Sequence, residues 1–470
     1  MAADFQHALA AAVPGDSHNF ATSIAISGAT AAVGVPGETT NGTDAGSVWI
    51  WELAAGTWTR TIQIFASNAS ADSRFGTSVA LDGDLLVVGA PLDDADGADS
   101  GSVYVHRRDE GGADTWGEVK KLALTGITAG DNFGDDVTVS DTDVVAGAPG
   151  RSSSQGIVGV FEQDQGGGDN FGEVTTLTGS GAAGSLFGGA VALDGATLVV
   201  GLPGHGSGQG LADIFEASSF VKSLTSDDAD SDQAFGYSAA VEGDTIAVGM
   251  FYGSDEGFAS LYDRDGGAWT LAATPGSPSG FEGDRFGASL DLSGDFLVVG
   301  WPATGAPEDE PGGADVFGRD IGGAGQWGHK DAITAPAGLD EDLVGHAVAI
   351  DAADVLVGAP VHDPGSSPGA GEAYYYTLTG HAEVTPEAGA FGDVAAGKFK
   401  TISFTIGNLG PVILNLGASS ITGPGAARYG IDSDTGESTI AVGGPERTVV
   451  VRFTPGTLGA FAADLEIPES

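Results

Sequence analysis

One stretch limits this chain more than any other: Phe75-Gly-Thr-Ser-Val-Ala-Leu-Asp-Gly-Asp-Leu-Leu-Val-Val-Gly-Ala-Pro91. It reads as two short strands around a tight turn, with Asp82-Gly83 supplying the positive φ that a two-residue hairpin needs. The second strand, Leu85 to Val88, is apolar at every position rather than at alternate ones. Such a strand has to be covered on both faces, so other sheets must stack against it from two sides. Gly89 removes a side chain where backbones crowd, and Pro91 ends the ladder because it has no N–H to give.

The unit recurs. Phe133 to Pro149, Phe187 to Pro203, Phe235 to Phe251 and Phe286 to Pro302 repeat it closely, and Phe20 to Pro36 and Val344 to Pro360 are looser copies. The gaps between successive opening residues are 55, 58, 54, 48, 51 and 58. A period near fifty with about four strands per unit is the sign of a β-propeller. Each repeat continues through a loop into a third strand such as Gly101 to His106. A fourth strand opened by an aromatic then follows, as at Trp116 to Leu122.

The two ends of this array complement each other. Phe5 stands 15 residues before Phe20, the spacing of a fourth strand with no repeat in front of it. The seventh repeat runs from Tyr374–Tyr376 into Thr385-Pro386 without an aromatic fourth strand. Pairing the first strand with the last blade would remove the open edge. The expected fold is therefore all-β. A seven-bladed β-propeller closed by the N-terminal strand fills residues 1–380, and a C-terminal immunoglobulin-like β-sandwich fills 381–470.

Composition agrees with a turn-rich β protein: 79 glycines and 20 prolines among 470 residues, with 41% apolar. There is no cysteine, which excludes disulfides and cysteine-based metal sites. No apolar run is long enough to span a bilayer. Residues 1–19 show no basic start followed by an apolar core, so no secretory signal is visible in this numbering. With 65 acidic against 17 basic residues, the net charge of −48 disfavours nucleic acid as a partner. Three explanations of that charge stay open: solubility, calcium held by acidic loops, and a salt-adapted surface like that of halophilic microbes. Aspartate far outnumbers glutamate and lysine is scarce, which suits the last of these.

Phe-Gly followed by Gly-Ala-Pro resembles the FG-GAP repeat, the unit of the integrin α-subunit propeller, and the likeness covers about residues 5–378. The nearest form is the microbial one, with a short Asp-Gly turn and a Gly-Ser-Val-Tyr-Val third strand. This resemblance implies a propeller used for adhesion or ligand binding outside the cell. In the integrin-type repeat a calcium loop separates the two elements. Here only Asp82-Gly83-Asp84, Asp194-Gly195, Glu242-Gly243-Asp244 or Ser293-Gly294-Asp295 stands there, so that calcium site does not carry over and plain hairpin turns are expected. Residues 381–470 alternate as half-buried strands, with Lys400 to Ile406, Asn408-Leu-Gly410 and Arg452 to Pro455 as landmarks. They resemble Hydin-type immunoglobulin-like domains, which implies a spacer or attachment module. The last strand of that domain is expected to be missing after Phe461 to Ile467, which suggests either a trimmed chain or a strand-donating partner.

Sites are scarcer. No two histidines share a metal-ligand spacing, no Gly-x-Ser-x-Gly elbow appears, and the glycine-rich tracts lack the Lys-Ser/Thr of a phosphate loop. A non-enzymatic chain is expected. Asp93, Asp94, Asp96 and Asp99 crowd the loop after the second Gly-Ala-Pro, and Asp228, Asp230 and Asp232 crowd the connection into Phe235. Oxygen donors at alternate positions suit calcium, although neither loop completes a known pattern. Asp72, Asp131 and Asp284 recur just before the repeat aromatics, which points to turn capping. Loops 38–46, 92–100, 227–234 and 303–313 should share one face of the disc and receive a protein or glycan ligand. The leading expectation is an extracellular or cell-surface adhesion or display module, with a virion spike-type protein and a polysaccharide hydrolase or lyase as alternatives.

Overall fold

The structure, a computed structural model, describes residues 4–10, 18–168, 170–226, 233–250, 257–277, 284–302, 312–321, 325–334, 342–362, 369–378, 382–385, 399–408, 414–416, 418–422, 426–440, 446–454 and 464–467. Residues Phe5–Tyr376 form one compact unit, and the chain from Thr377 onward belongs to a second.

Within the first unit, seven four-stranded antiparallel sheets follow one another among the described residues. Sheet two shows the pattern: Ser78–Asp82, Leu85–Ala90, Ser102–Arg107 and Gly117–Leu122, in that order. The expected hairpin has the register Ser78↔Gly89 to Asp82↔Leu85. Sheet seven takes three strands from Val348–Thr377 and its fourth from Asp4–Leu9 at the other end of the chain. The pairing that Phe5 suggested is therefore present. The second strands Thr30–Val35, Leu85–Ala90, Thr197–Leu202, Thr245–Met250 and Phe296–Trp301 are buried at every position. This is why they are apolar throughout instead of alternating.

The core lies between neighbouring sheets. Phe75 is fully buried among Ala32, Val48, Ile50 and Ile64 of sheet one, and Phe187 among Val145, Val158 and Val160 of sheet three. Phe20 is held in the same way among Ala349, Leu356 and Ala373 of sheet seven. Each opening aromatic is thus a wedge driven against the preceding sheet, with about 2–3 kcal/mol to gain from burial. At the same joint the backbones nearly touch. A Cβ on Gly89 would stand 2.0 Å from the carbonyl oxygen of Gly134, so no side chain fits there. Beside it, Ser78 Oγ donates to that same oxygen at 2.9 Å, as Ser23 does to Gly76 and Ser289 to Gly345.

The Asp-Gly turns are the two-residue hairpin turns expected from the sequence, and they do more than reverse the chain. Each gives a backbone N–H to a side chain at the end of the preceding sheet's first strand. Gly83 donates to Ser27, Asp141 to Asp82, Gly195 to Ser140 and Gly243 to Asp194. Gly294 donates to Glu242, Ala352 to Ser293, and Gly28 to Asp351. The positive φ of the turn residue aims its N–H at the neighbour, so these turns are joints between sheets.

Arginine joins three of these sheet pairs at the same end. Arg108 donates to Glu52 of sheet one at 2.6 Å and to its own turn's Asp84 at 2.6 Å, with its guanidinium 4.9 Å over the Trp116 ring. Arg264 repeats the clamp on Thr197 and Glu216 over Trp269, and Arg319 repeats it on Thr245 and Asp263 over Trp327.

In the second unit, Ala382–Thr385, Lys400–Asn408, Arg447–Phe453 and Tyr429–Asp434 make one antiparallel sheet. Leu414–Asn415 pairs with Thr439–Ile440, and Ser420–Thr422 with Asp464–Glu466. Phe404, Ile406, Leu416, Ile440, Val449 and Val451 form its core. Arg447, 3% exposed, grips Asp434 through two hydrogen bonds of 2.7 and 2.9 Å and holds that carboxyl down at about 2. Among the described residues of the whole chain, no helix is long and apolar enough to cross a membrane.

Candidate functional site

The loops after each Gly-x-Pro lie at one end of the sheets and are laced to the connection that follows. Backbone N–H groups of Asp72, Arg74 and Phe75 donate to Thr43, Asp44 and Ala45 of loop 38–46. Gly130, Asn132 and Phe133 donate in the same way to Ala98, Asp99 and Ser100 of loop 92–100. Gly184, Leu186 and Phe187 repeat the pattern on Ser153, Ser154 and Gln155. For this lacing the residue before each repeat's opening position adopts a left-handed conformation in all seven sheets, from Asn19 at φ 56° to Leu343 at φ 55°. The loops that the sequence assigned to one face therefore do share it wherever they are described.

Side chains add a second tie within three of the repeats. In these the residue two before the opening position meets the residue two after the proline. Arg151 Nη1 lies 2.9 Å from Asp131 Oδ2, His362 Nδ1 2.9 Å from Asp342 Oδ2, and His18 Nδ1 3.7 Å from Glu38 Oε2. Asp131 also accepts from the Thr128 backbone N–H at 2.7 Å, which is the turn-capping role its position implied. Asp284 accepts from Ser277 Oγ at 3.5 Å, whereas Asp72 is exposed and lends the turn its positive φ of 65°.

The acidic loop after Pro91 is split in two. Asp93 is turned inward and 3% exposed, accepting from Tyr104 Oη at 2.7 Å and Lys121 Nζ at 2.8 Å. Burial pulls its pKa up, but the hydrogen bonds from Lys121 and Tyr104 outweigh this and leave it below the usual carboxylate range. Asp94 and Asp99 are exposed, and Asp94 Oδ1 accepts the Asp99 backbone N–H at 2.9 Å. The Asp96 backbone N–H donates to Ser100 Oγ. Asp228, Asp230 and Asp232 lie outside the described residues. Among the described residues, no three His, Asp or Glu side chains are grouped closely enough to hold a metal ion.

A channel of about 630 Å³ runs among the first strands of the sheets. The third residue of each repeat lines its mouth at the loop end: Thr22, Thr77, Asp135, Gly189, Tyr237, Ala288 and His346. Arg285 joins them. Deeper walls are apolar, with Ile24, Val79, Val137, Val191 and Leu290. Burial raises the Asp135 carboxyl to about 6, although its side chain still meets the water of the channel. Burial and the Asp135 charge push the Tyr237 hydroxyl up, against a smaller pull down from Arg285. His346 is lowered by burial, against a hydrogen bond to the Thr22 backbone, and also feels Arg285.

Asp136 and Asp291 are enclosed farther in. Asp136 accepts the Val137 and Val191 N–H groups at 3.0 and 2.7 Å, and Asp291 accepts those of Leu292 and Ile350 at 2.9 and 2.7 Å. Burial lifts both to about 7 despite these bonds. The channel group escaped sequence reading because its members sit in different repeats, about fifty residues apart. The one available signal was the third position of each repeat, where small residues give way to Asp135, Tyr237 and His346.

Comparison with known proteins bears on the fold. The FG-GAP repeat family matches residues 58–106. No curated protein matches the chain. A solved chain from a mitotic checkpoint complex is similar at TM-score 0.51 and 14% identity, over 80% of this chain and 94% of that one. The WD40 β-propeller domain of Doa1 is similar at TM-score 0.47 and 13% identity, over 79% of this chain and 96% of that one. Taken with the order of the sheets, the repeat match and the checkpoint-complex likeness make this chain a β-propeller protein carrying an FG-GAP repeat.

Proposed function

We propose that the chain is a non-enzymatic binding or display scaffold, a seven-bladed propeller closed by its amino-terminal strand, working at a cell surface or on a virus particle. The carrying observation is the laced loop face. Loops 38–46 and 92–100 are each fixed by backbone hydrogen bonds to the next connection, so a partner would meet a preorganised surface. A protein or glycan ligand docks there; residues 227–232 and 303–311, which the sequence assigned to the same face, lie outside the described residues. Calcium, where it binds, is a ligand of the acidic members of this face. The similar chain in a checkpoint complex is part of a multi-protein assembly, which favours a protein ligand. The second unit serves as an immunoglobulin-like spacer or as an assembly module that accepts a partner's strand.

The rival, polysaccharide hydrolysis, needs a pair of carboxyl groups free to handle protons at the sugar. Asp136 and Asp291 each spend both oxygens on backbone N–H groups, which favours the scaffold. Glycan-array and cell-adhesion assays test the reading with two variants. One replaces Asp94, Asp96 and Asp99 by serine on the loop face; the other replaces Asp244 and Asp295 by serine at the turn end. Loss of binding in the first alone is expected. Loss in the second alone would move the partner to the opposite face and overturn the reading.

A further inference from the structure

The edge of each sheet farthest from the channel is its fourth strand, and these strands differ from the rest of the chain in charge. They are Asp4–Leu9, Thr57–Ile64, Gly117–Leu122, Gly172–Leu177, Ser219–Leu224, Ala268–Ala273 and Trp327–Thr334. Of the chain's 65 acidic and 17 basic residues, these strands hold four and five. They are therefore balanced, and the net charge of −48 lies elsewhere. Two molecules of this chain meet least repulsion when they approach by these edges.

The strand registers mark one slot on each edge. Six sheets carry a bulge in the fourth strand, and the paired residue just before it is Arg60, Glu118, Glu173, Phe220, Leu271 or His329. None of the six is buried. Four are charged or polar, as an unburied slot favours. The two apolar ones belong to neighbouring sheets, four and five. Phe220 is 55% exposed, Leu271 41%, and the bulge residue Val221 45%. Lys222 Nζ donates to the Trp269 carbonyl at 2.9 Å and ties these two edges together. In sheets one, two, three and five the residue two before the slot is a buried aromatic: Trp58, Trp116, Phe171 or Trp269. In sheet four it is Ser218. Sheet four thus has its aromatic at the open place instead of the covered one.

We propose that this chain associates with a second copy of itself, edge to edge, through Phe220, Val221 and Leu271. The contact is isologous, the same patch on each copy related by a twofold axis. Charge selects this partner. Ser219–Leu224 and Ala268–Ala273 contain no acidic residue and one lysine, engaged with Trp269, so a charged partner finds nothing to pair with. A second copy brings an equally apolar patch and keeps the acidic remainder of both molecules apart. Phe220, resting on Phe215 at 5.9 Å, supplies the aromatic anchor of an interface centre. The bulge at Val221 breaks the ladder, so side chains and not an added strand make the contact. This goes beyond the loop-face reading and is independent of it, because self-association is measured with no ligand present.

Sedimentation velocity of the full chain at rising concentration, in about 0.1 M and about 1 M potassium chloride, supplies the test. A monomer–dimer equilibrium is expected, about tenfold or more tighter at high salt, where screening removes the repulsion between two molecules of charge −48. Phe220→Ser should weaken the dimer about tenfold or more and leave the melting temperature unchanged, since the side chain is open to solvent. Phe399→Ser, which removes an exposed aromatic of the second unit, should leave the dimer unchanged. The chain has no cysteine, so Val221→Cys supplies a unique thiol. A short bis-maleimide should join two such molecules and should not join Thr57→Cys molecules, altered on the matching strand of sheet one. That readout covers the case in which Phe220→Ser fails to fold. A monomer at every concentration and salt overturns the proposal. So does a dimer indifferent to Phe220→Ser, or cross-linking through Thr57→Cys as strong as through Val221→Cys.

Discussion

Gly358 lies against the backbone carbonyl of Ala21, so close that a Cβ on it would stand 2.4 Å from that oxygen. The two residues belong to the last and the first repeats. The same approach links Gly34 to Gly76 and Gly89 to Gly134, so one joint serves neighbours in sequence and the two ends of the array alike.

This joint tolerates no methyl group. Gly89→Ala would put a Cβ 2.0 Å from Gly134 O and 2.2 Å from Ser78 Oγ, forcing two sheets apart. We expect a loss of about 3 kcal/mol or more in urea unfolding, with Gly358→Ala close behind. Gly28→Ala is the control: its Cβ meets nothing within 4 Å, and only its φ of 57° is unfavourable. That variant should lose about 1 kcal/mol. Equal losses in all three would refute the joint.

Asp143 stands where Thr30, Thr197 and Thr245 stand in the arginine-clamped sheets, and it faces Glu162 across the strand pair. Burial raises its carboxyl, and Glu162 and Asp141 raise it further. The arginine position of the next sheet holds Ala217, whose N–H donates to Ala196 just as Arg264 donates to Asp244. Asp143→Thr should therefore stabilise the protein by about 0.5–1 kcal/mol at low salt. In 1 M potassium chloride the gain should shrink, because screening weakens the repulsion it removes. A gain unchanged by salt would point to something other than charge.

Asp136 occupies the place of Ser78 and Ser238 in other repeats, and burial raises it to about 7. A carboxyl raised by folding favours the native state when protonated. Its contribution is complete below the ordinary range near pH 4 and is lost as pH rises through about 7. Asp291 adds to the same trend. Wild-type stability should fall between pH 5 and pH 8, and Asp136→Ser should flatten the fall. Over that interval the difference between the two proteins should move in the variant's favour by about 1–2 kcal/mol. Parallel pH profiles from thermal melts would show that Asp136 is not responsible.

A net charge of −48 should make the melting temperature climb with potassium chloride. Millimolar calcium should add a smaller increment, reversed by a chelator, if the acidic loops hold it. Asp93→Asn should lower stability without altering that increment, since its carboxylate is committed to Tyr104 and Lys121. A calcium increment lost in Asp93→Asn would mean that the inward carboxylate swings out to the ion.

The sequence by itself determined the repeat, because its cause is local. A strand buried on both faces is apolar at every position, as Leu85 to Val88 is, and a tight turn needs Gly83 or its equivalent. The bare strand at Phe5 and the missing fourth strand after Tyr376 likewise announced each other. What tertiary structure decided was every contact between repeats. Ser27 accepting from Gly83, Arg108 bridging to Glu52, and Asp135 and Arg285 meeting at one channel mouth all join residues about fifty or more positions apart. Nothing in either stretch records how two sheets are rotated against each other. The fate of Asp93 shows the same limit: its run of neighbouring aspartates suggested a ligand loop, but Tyr104 and Lys121 on the adjoining strands turn it inward. Local pattern encodes which faces are buried; the angle at which buried faces meet is set by packing among whole sheets, and that angle places the side chains of the channel.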